Sequence, residues 1–185
     1  MITIVFSHPW HGSFNKAILD TITAKLAVEK REFEVIDLHK DGFNPVFSEA
    51  ELSVYNQGKA LDPLVLRYQE YIGKTDQIVF IFPNWWNTIP GILKGFFDKV
   101  LLKDFAFNYE GGFNPLLSIN KTLVVTTSEH PSANFDYFIN HCFAEDMLAS
   151  VGIRNMKWLS CTGTSHGGNE NRTEFLRKVE EAVSK

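Results

Sequence analysis

The chain has 185 residues, of which 44% are hydrophobic and 22% charged, a composition that excludes disordered and fibrous proteins. Its length suits one domain spanning residues 1–185. The formal net charge is −4, so no basic excess is available to bind nucleic acid. The 16 Phe residues are unusually many, and they favour a flat apolar ligand or a broad apolar interface.

Two features bear on the cellular compartment. The first residues have the pattern of a strand rather than of a leader, and no apolar run reaches the ~18 residues of a membrane span. Cys142 and Cys161 form no C-x-x-C unit, so we expect them to be buried free thiols. We therefore expect a cytoplasmic protein without membrane insertion.

Short apolar runs alternate along the chain with longer stretches of helical spacing. The runs are rich in Val and Ile, which is typical of strands buried in a parallel sheet. We predict strands at residues 2–7, 34–38, 77–82, 121–127 and 156–162. Between them, apolar side chains recur every three or four residues, which indicates helices. We predict helices at residues 14–26, 63–74, 90–102, 135–151 and 170–184.

The order of these elements predicts the fold class. Residues 41–62 have neither period and contain Gly42, Pro45 and Gly58, so we predict a long loop there. Strict alternation of strands and helices implies right-handed crossovers and a sheet covered on both faces. We therefore predict an α/β fold, a flavodoxin-like doubly wound sheet of five parallel strands in the order 2-1-3-4-5. Ligands of such sheets bind at the carboxyl ends of strands 1 and 3, and flavodoxin itself is the known example.

The segment after the first strand reads SHPWHGSFN. Ser13 is a suitable N-cap for the helix that follows. The side chains of His8, Ser13 and Asn15, with the backbone N–H groups near Phe14, suit an anion such as phosphate. The alternative is that Ser13 only caps the helix and the histidines are merely exposed. The absence of G-x-x-x-x-G-K-[ST] and G-x-G-x-x-G motifs argues against nucleotide hydrolysis and a Rossmann site.

The segment after the third strand reads PNWWNTIP and places two Trp and two Asn in a connecting loop. Two Trp rings are much area for a connector to bury, so a binding role is favoured. Asn side chains and backbone amides suit the edge of a flat heterocycle whose face an indole covers. The candidate residues are Pro83, Asn84, Trp85, Trp86 and Asn87. A hydrophobic latch or a dimer contact is the alternative.

Two further segments belong to the same predicted edge. Thr126, Thr127 and Ser128 follow the fourth strand and offer hydroxyl groups and amides. The aromatic segment 105–113, with Phe107 and Tyr109, is suited to line or cover a planar ligand. His8 and His11 are three residues apart, but no carboxylate or Cys accompanies them at ligand spacing, so we expect no metal site.

These segments resemble those of the flavodoxin-fold NAD(P)H:quinone oxidoreductases. This family includes short bacterial quinone reductases and ancillary proteins of potassium-efflux channels. The most specific match is FPxxW continuing into IPxILKGxFDKV at residues 82–100, followed by Phe105-Ala106. His8 with Ser13-Phe14-Asn15, and Phe43-Asn44-Pro45, are weaker matches that fall in the right order.

The resemblance implies a flavin cofactor and a homodimer with its site at the subunit interface. The resemblance implies that His8, Ser13, Phe14 and Asn15 hold the flavin phosphate and ribityl chain. Residues 83–87 hold the isoalloxazine edge, with Thr126, Thr127 and Ser128 on its other side. NAD(P)H gives a hydride to the flavin, and two electrons pass on to a quinone-type acceptor. The short C-terminus favours FMN, with FAD as the alternative.

Two departures from the family pattern matter. Ser128 and Glu129 stand where the family has two glycines, and we expect the loop to carry Glu129 outward because Pro131 offers it another path. Phe107 stands where a Tyr is common, which leaves Tyr109 and His130 as the candidate catalytic residues. The altered glycine pair keeps open a second hypothesis, a regulatory module that partners another protein such as a potassium-efflux channel. A one-electron carrier flavodoxin is less favoured because its phosphate loop is richer in Ser, Thr and Gly.

Overall fold

The predicted order of strands is confirmed. In the computed structural model, which describes residues 1–166 and 168–184, the main sheet has the order β2-β1-β3-β6-β7, the predicted 2-1-3-4-5. All four of its strand pairs are parallel. Its strands are β1 Ile2–Phe6, β2 Phe33–Asp37, β3 Gln77–Pro83, β6 Thr122–Thr127 and β7 Met156–Cys161.

Helices cover both faces of this sheet. They are α1 Phe14–Val28, α2 Glu49–Ser53, α3 Pro63–Gly73, α4 Gly91–Val100, α5 Ala133–Tyr137 and α6 Gly168–Ser184. Neighbouring residues of β3 point to opposite faces. Val79 and Ile81 pack in the cluster formed with α1 and α6, whereas Phe80 and Phe82 pack in the cluster formed with α3 and α4.

The helix predicted over residues 135–151 is present, but its type of helical turn changes along its length. The α-helical turns end at Tyr137, π-type turns run over Phe138–Leu148, and a 3-10 turn closes the segment at Ala149–Val151. Its buried residues Ile139, Phe143 and Leu148 are four and five positions apart, and this wider spacing suits the wider turn. Phe143 reaches Phe80, Phe82 and Phe97 with ring centroids 5.5–5.8 Å apart.

Two segments predicted as loops contain regular structure. Within residues 41–62, α2 begins at a capping box in which the Ser48 side chain accepts from Glu51 N and the Glu51 carboxylate accepts from Ser48 N. The segment 105–113 contributes β4 Phe107–Asn108, which pairs with β5 Asn114–Pro115 in a small antiparallel hairpin.

A buried cation ties residues 41–62 to the rest of the protein. Lys99 of α4 is 3% exposed. Its Nζ lies 2.8 Å from Glu51 Oε1 and 3.6 Å from Asp62 Oδ2, and it donates to the Asn44 carbonyl at 3.0 Å. Burying an ammonium group costs free energy unless carboxylates and carbonyls surround it. This network therefore fixes where residues 41–62 pack against α4.

The backbones of α4 and Pro45 approach each other closely at Gly95. A Cβ atom on Gly95 would lie 2.3 Å from the Pro45 carbonyl oxygen, whereas one on Gly91 of the same helix would meet nothing within 4 Å. We expect Gly95→Ala to lower the free energy of unfolding by about 1–3 kcal/mol, because overpacking displaces backbone. Gly91→Ala is the matched control and is expected to be neutral or slightly stabilising. Urea denaturation of both variants tests this, and equal stability would contradict the close approach.

Candidate active site

A cleft of about 530 Å³ opens at the carboxyl ends of β1, β3 and β6, the edge that the doubly wound topology predicts. It is lined by His8, Trp10, Gly12, Ser13, Phe14, Asn15, Pro83, Asn84, Trp85, Thr127, Ser128, Glu129, Thr164, Ser165 and Arg172.

Backbone hydrogen bonds continue the sheet register into the loops that form the cleft. Ser7 N donates to Ile81 O at 3.0 Å, Asn84 N to Thr127 O at 2.7 Å, and Ser128 N to Cys161 O at 2.9 Å. The first residues after the strands are therefore held as firmly as the strands themselves. These bonds fix the part of the cleft next to the strand ends without a ligand.

One end of the cleft is the N-terminus of α1. Ser13 caps this helix, because its Oγ accepts from Lys16 N at 3.2 Å. The N–H groups of Phe14 and Asn15 donate to no acceptor among residues 1–166 and 168–184. Free amides at a helix N-terminus favour an anion.

Buried polar side chains also face this cleft without partners. Asn15 is 3% exposed. Its Nδ2 donates to Thr127 Oγ1 at 2.7 Å, but its Oδ1 has no hydrogen-bond partner in the described part of the chain. Asn84 Oδ1 is equally buried and unpartnered there. Unpaired buried acceptors cost free energy, so a ligand that donates hydrogen bonds to these two oxygens would bind favourably here.

The turn from His8 to Ser13 is held by its own contacts. Trp10 N donates to His8 Nδ1 at 3.1 Å, which leaves Nε2 to carry the proton of the neutral ring. Burial lowers the pKa of His8, and the nearby His39 and His11 lower it further. The Trp10 indole lies against Gly12, where a Cβ atom would be 2.5 Å from the ring. The lowered pKa favours the neutral ring of His8, in which Nε2 is the donor.

Arg172 of α6 belongs to the cleft although no motif surrounds it in the sequence. Its guanidinium carbon lies 5.9 Å from the centre of the Phe14 ring, and its Nη2 donates to Thr164 O. The Arg172 Nε is buried without a hydrogen-bond partner, and no carboxylate lies within 4.0 Å of the guanidinium in the described ranges. An arginine without a carboxylate partner in the described ranges, beside free helix amides, would favour an anion at this end of the cleft.

Glu129 lines the cleft, and its carboxylate is bonded to the loop after β7. Whether the carboxylate turns away from a bound flavin stays a prediction. Ser165 N donates to Glu129 Oε2 at 3.1 Å, and His166 Nδ1 lies 2.7 Å from Oε1. The hydrogen bonds from His166 and Ser165 lower the pKa of Glu129 to about 2, so the group is ionised under ordinary conditions.

The double-Trp segment forms a tight turn. Trp85 N donates to Thr88 O at 3.3 Å and Thr88 N donates to Trp85 O at 3.2 Å, while Trp86 and Asn87 between them have φ of 55° and 57°. Two positive φ values define a type I′ turn, which is unfavourable for a residue as bulky as Trp. Trp85 lines the cleft with its ring centroid 6.0 Å from that of His8. Trp86, at the tip, is 98% exposed.

Several candidates from the sequence lie outside the lining of the cleft. Thr126 points to the other face of the sheet, where its Oγ1 accepts from Trp158 Nε1 at 2.9 Å. Tyr109 is exposed on the β4–β5 hairpin, packed against Phe107 and Phe113. The remaining ones are the exposed residues Trp86, Asn87 and His130. Among the described residues, no group of three or more His, Cys, Asp or Glu is arranged to hold a metal.

Comparison with known proteins agrees with this architecture. A family model described as flavodoxin-like fold matches residues 1–185. A Haemophilus influenzae protein named an uncharacterized NAD(P)H oxidoreductase is 30% identical, over 84% of this chain and 80% of its own length. The chain belongs to the flavodoxin-fold NAD(P)H:quinone oxidoreductase family.

Other members of the family are similar over different lengths. The structure of an NAD(P)H:quinone oxidoreductase from Methanothermobacter marburgensis superimposes with a TM-score of 0.86 at 27% identity, covering 98% of this chain and 96% of that one. The rat NAD(P)H dehydrogenase [quinone] 1 is 30% identical over 67% of this chain and 52% of its own length. The chain thus spans about half the length of the rat enzyme.

Proposed function

We propose that this protein is a flavin-dependent oxidoreductase that accepts a hydride from NAD(P)H and passes two electrons to a quinone or a similar acceptor. The observation that carries the proposal is the set of buried, unpartnered polar atoms of Asn15, Asn84 and Arg172 in one aromatic-lined cleft. The names of the H. influenzae, M. marburgensis and rat relatives support the same reaction class.

The residues present fit a flavin mononucleotide. The free amides of Phe14 and Asn15, with the Arg172 guanidinium, would hold its phosphate. His8 and Ser13 would bind at the same end. Because the anion-binding groups converge on the start of α1, a single terminal phosphate suits the site, and we propose FMN rather than FAD.

The other half of the cleft fits the flavin ring. Pro83, Asn84 and Trp85 line it beside Thr127 and Ser128, since Asn84 N donates to Thr127 O at 2.7 Å. Trp86 and Asn87 would reach the ring from the tip of their turn. Thr126 has no place in this site, because its hydroxyl serves Trp158 on the other face.

The protein residues bind and orient, while a bound flavin supplies the capacity to take up a hydride and release two electrons. Buried Asn15 and Thr127 fix hydrogen-bonding groups in the cleft, and Trp85 offers an apolar surface to one side of the ligand. A proton donor for the acceptor has to come from elsewhere. We propose Tyr109 or His130 for this role, and Tyr109 on its exposed hairpin would act only across a dimer interface.

The regulatory hypothesis is not favoured, because the relatives are named as oxidoreductases. It was kept open because Ser128 and Glu129 stand where the family that the chain resembles has two glycines. In the structure, the Glu129 carboxylate is hydrogen-bonded to Ser165 and His166, and the cleft remains open at about 530 Å³.

In the part of the chain that the structure describes, no helix is long and apolar enough to span a bilayer. Cys142 and Cys161 are free, which is consistent with the reducing cytoplasm that we propose as the compartment.

The purified protein is expected to carry or take up flavin and to oxidise NADPH or NADH faster when a quinone is added. The visible absorbance spectrum of the purified protein and identification of the flavin released by heat test the cofactor. Stopped-flow reduction of the bound flavin by each nucleotide tests the donor. Protein that neither contains flavin nor binds FMN from solution would overturn the proposed function.

Thr127 and Thr126 provide a matched pair on opposite faces of β6. We expect Thr127→Val to weaken FMN binding about 3- to 10-fold, because one hydrogen bond contributes about 0.5–1.5 kcal/mol. We expect Thr126→Val to leave FMN affinity within about twofold, since its partner is Trp158. Titration of flavin fluorescence measures both. An equal loss in the two variants would mean that the effect comes from the strand and not from the cleft.

We propose a homodimer, with Phe105, Phe107 and the helix α4 near the contact. The β4–β5 hairpin supports this, because Tyr109, Phe113 and Leu116 are 63%, 48% and 44% exposed. Contiguous exposed aromatic surface of this kind is typical of an interface. Light scattering should give twice the mass of one chain, and a mass of one chain across a wide concentration range would contradict the proposal.

A further inference from the structure

The carboxylate of Glu129 joins two loops across one wall of the cleft. It accepts from Ser165 N and lies within hydrogen-bond distance of His166 Nδ1, while the Glu129 carbonyl accepts from Gly163 N at 2.9 Å. The Glu129 side chain is 33% exposed and that of His166 is 86% exposed. We call Glu129, Ser165 and His166 the clasp. Together with the bond from Thr164 N to Ser128 O at 3.4 Å, it ties residues 163–166 to the loop after β6.

The same connection determines where Arg172 lies. The Arg172 Nη2 donates to Thr164 O, one residue before Ser165 of the clasp. No carboxylate competes for this guanidinium in the ranges that the structure describes, and its Nε has no partner there. Arginine has many rotamers, so holding its head group beside Phe14 requires a fixed acceptor at Thr164.

We propose that Glu129 is a positioning residue that holds residues 163–166 so that Arg172 presents its guanidinium to the phosphate of the flavin. This inference rests on the proposed function. Neither clasp bond can form without the Glu129 side chain. The side chain therefore adds preorganisation, which raises affinity by reducing the ordering that binding would otherwise require.

A direct electrostatic role for Glu129 would have the opposite effect on affinity. A carboxylate in the cleft repels an anionic cofactor, so removing it would tighten binding of FMN if repulsion were its main influence. Removing a positioning residue weakens binding of FMN instead. The two roles also differ in ligand dependence, because riboflavin has no phosphate for Arg172 to bind.

The test compares FMN with riboflavin on the full-length protein. Dissociation constants are measured by flavin fluorescence for the unchanged protein and for Glu129→Ala, Glu129→Gln and Arg172→Ala. We expect Glu129→Ala to weaken FMN binding about tenfold, the factor that corresponds to one lost charge-assisted hydrogen bond, and riboflavin binding less than about twofold. Glu129→Gln should recover most of the loss, because its amide oxygen can still accept from Ser165 N. Combining Glu129→Ala with Arg172→Ala should add little to Arg172→Ala alone.

A second variant keeps the proposal testable if Glu129→Ala does not fold. His166→Ala removes half of the clasp at an exposed position and is expected to weaken FMN binding about threefold, again with little effect on riboflavin. Unchanged or tighter FMN binding in these variants, or equal losses of FMN and riboflavin, would overturn the positioning role while leaving the proposed function intact. Failure of the unchanged protein to bind either flavin would overturn the proposed function itself.

Discussion

The central strands are buried on both faces, and this constraint places the polar chemistry of the protein at their ends. Val79 and Ile81 of β3 face one layer of helices and Phe80 and Phe82 face the other, all of them fully buried. An unpaired polar side chain along such a strand would be costly. Polar groups are tolerated where the strands end, and there the parallel arrangement brings the ends of β1, β3 and β6 together.

The hydrogen bond between Asn15 and Thr127 shows how this edge becomes a site. It joins the first turn of α1 to the last residue of β6 across 112 positions of sequence and is buried. The bond uses the donor of Asn15 and leaves its acceptor unpaired. The fold thus holds a rigid polar group at a cost in stability that a ligand can offset, which is the usual relation between preorganised sites and binding.

Two irregular segments are fixed by carboxylates in different surroundings. Around Lys99, which is 3% exposed, Glu51 and Asp62 compensate a buried cation, so loss of either partner would leave an uncompensated charge. The clasp of Glu129 is more exposed, and water screens its attraction to His166. The first arrangement determines where residues 41–62 pack. The second orients a connection whose position matters for Arg172 more than for overall stability.

The alternation of apolar runs and helical stretches was sufficient to predict five parallel strands, their order and the edge that forms the cleft, because local burial patterns encode these features. It also identified most of the cleft, since His8, Ser13, Phe14, Asn15, Pro83, Asn84, Trp85, Thr127 and Ser128 directly follow or end predicted elements. A capping box, S-x-x-E at Ser48 to Glu51, would have revealed α2 as well.

Only the tertiary structure distinguished Thr127 from Thr126, because the side chains of adjacent strand residues point to opposite faces and register decides which face holds the cleft. It also brought Arg172 to Phe14 and Glu129 to Ser165, contacts between residues 36 or more positions apart that no local pattern records. Periodicity reports whether a residue is buried, whereas the partner of a polar side chain depends on how separate elements pack. Local patterns of the sequence were therefore enough to predict the sheet and the edge that holds the cleft, whereas packing decided which polar groups meet there.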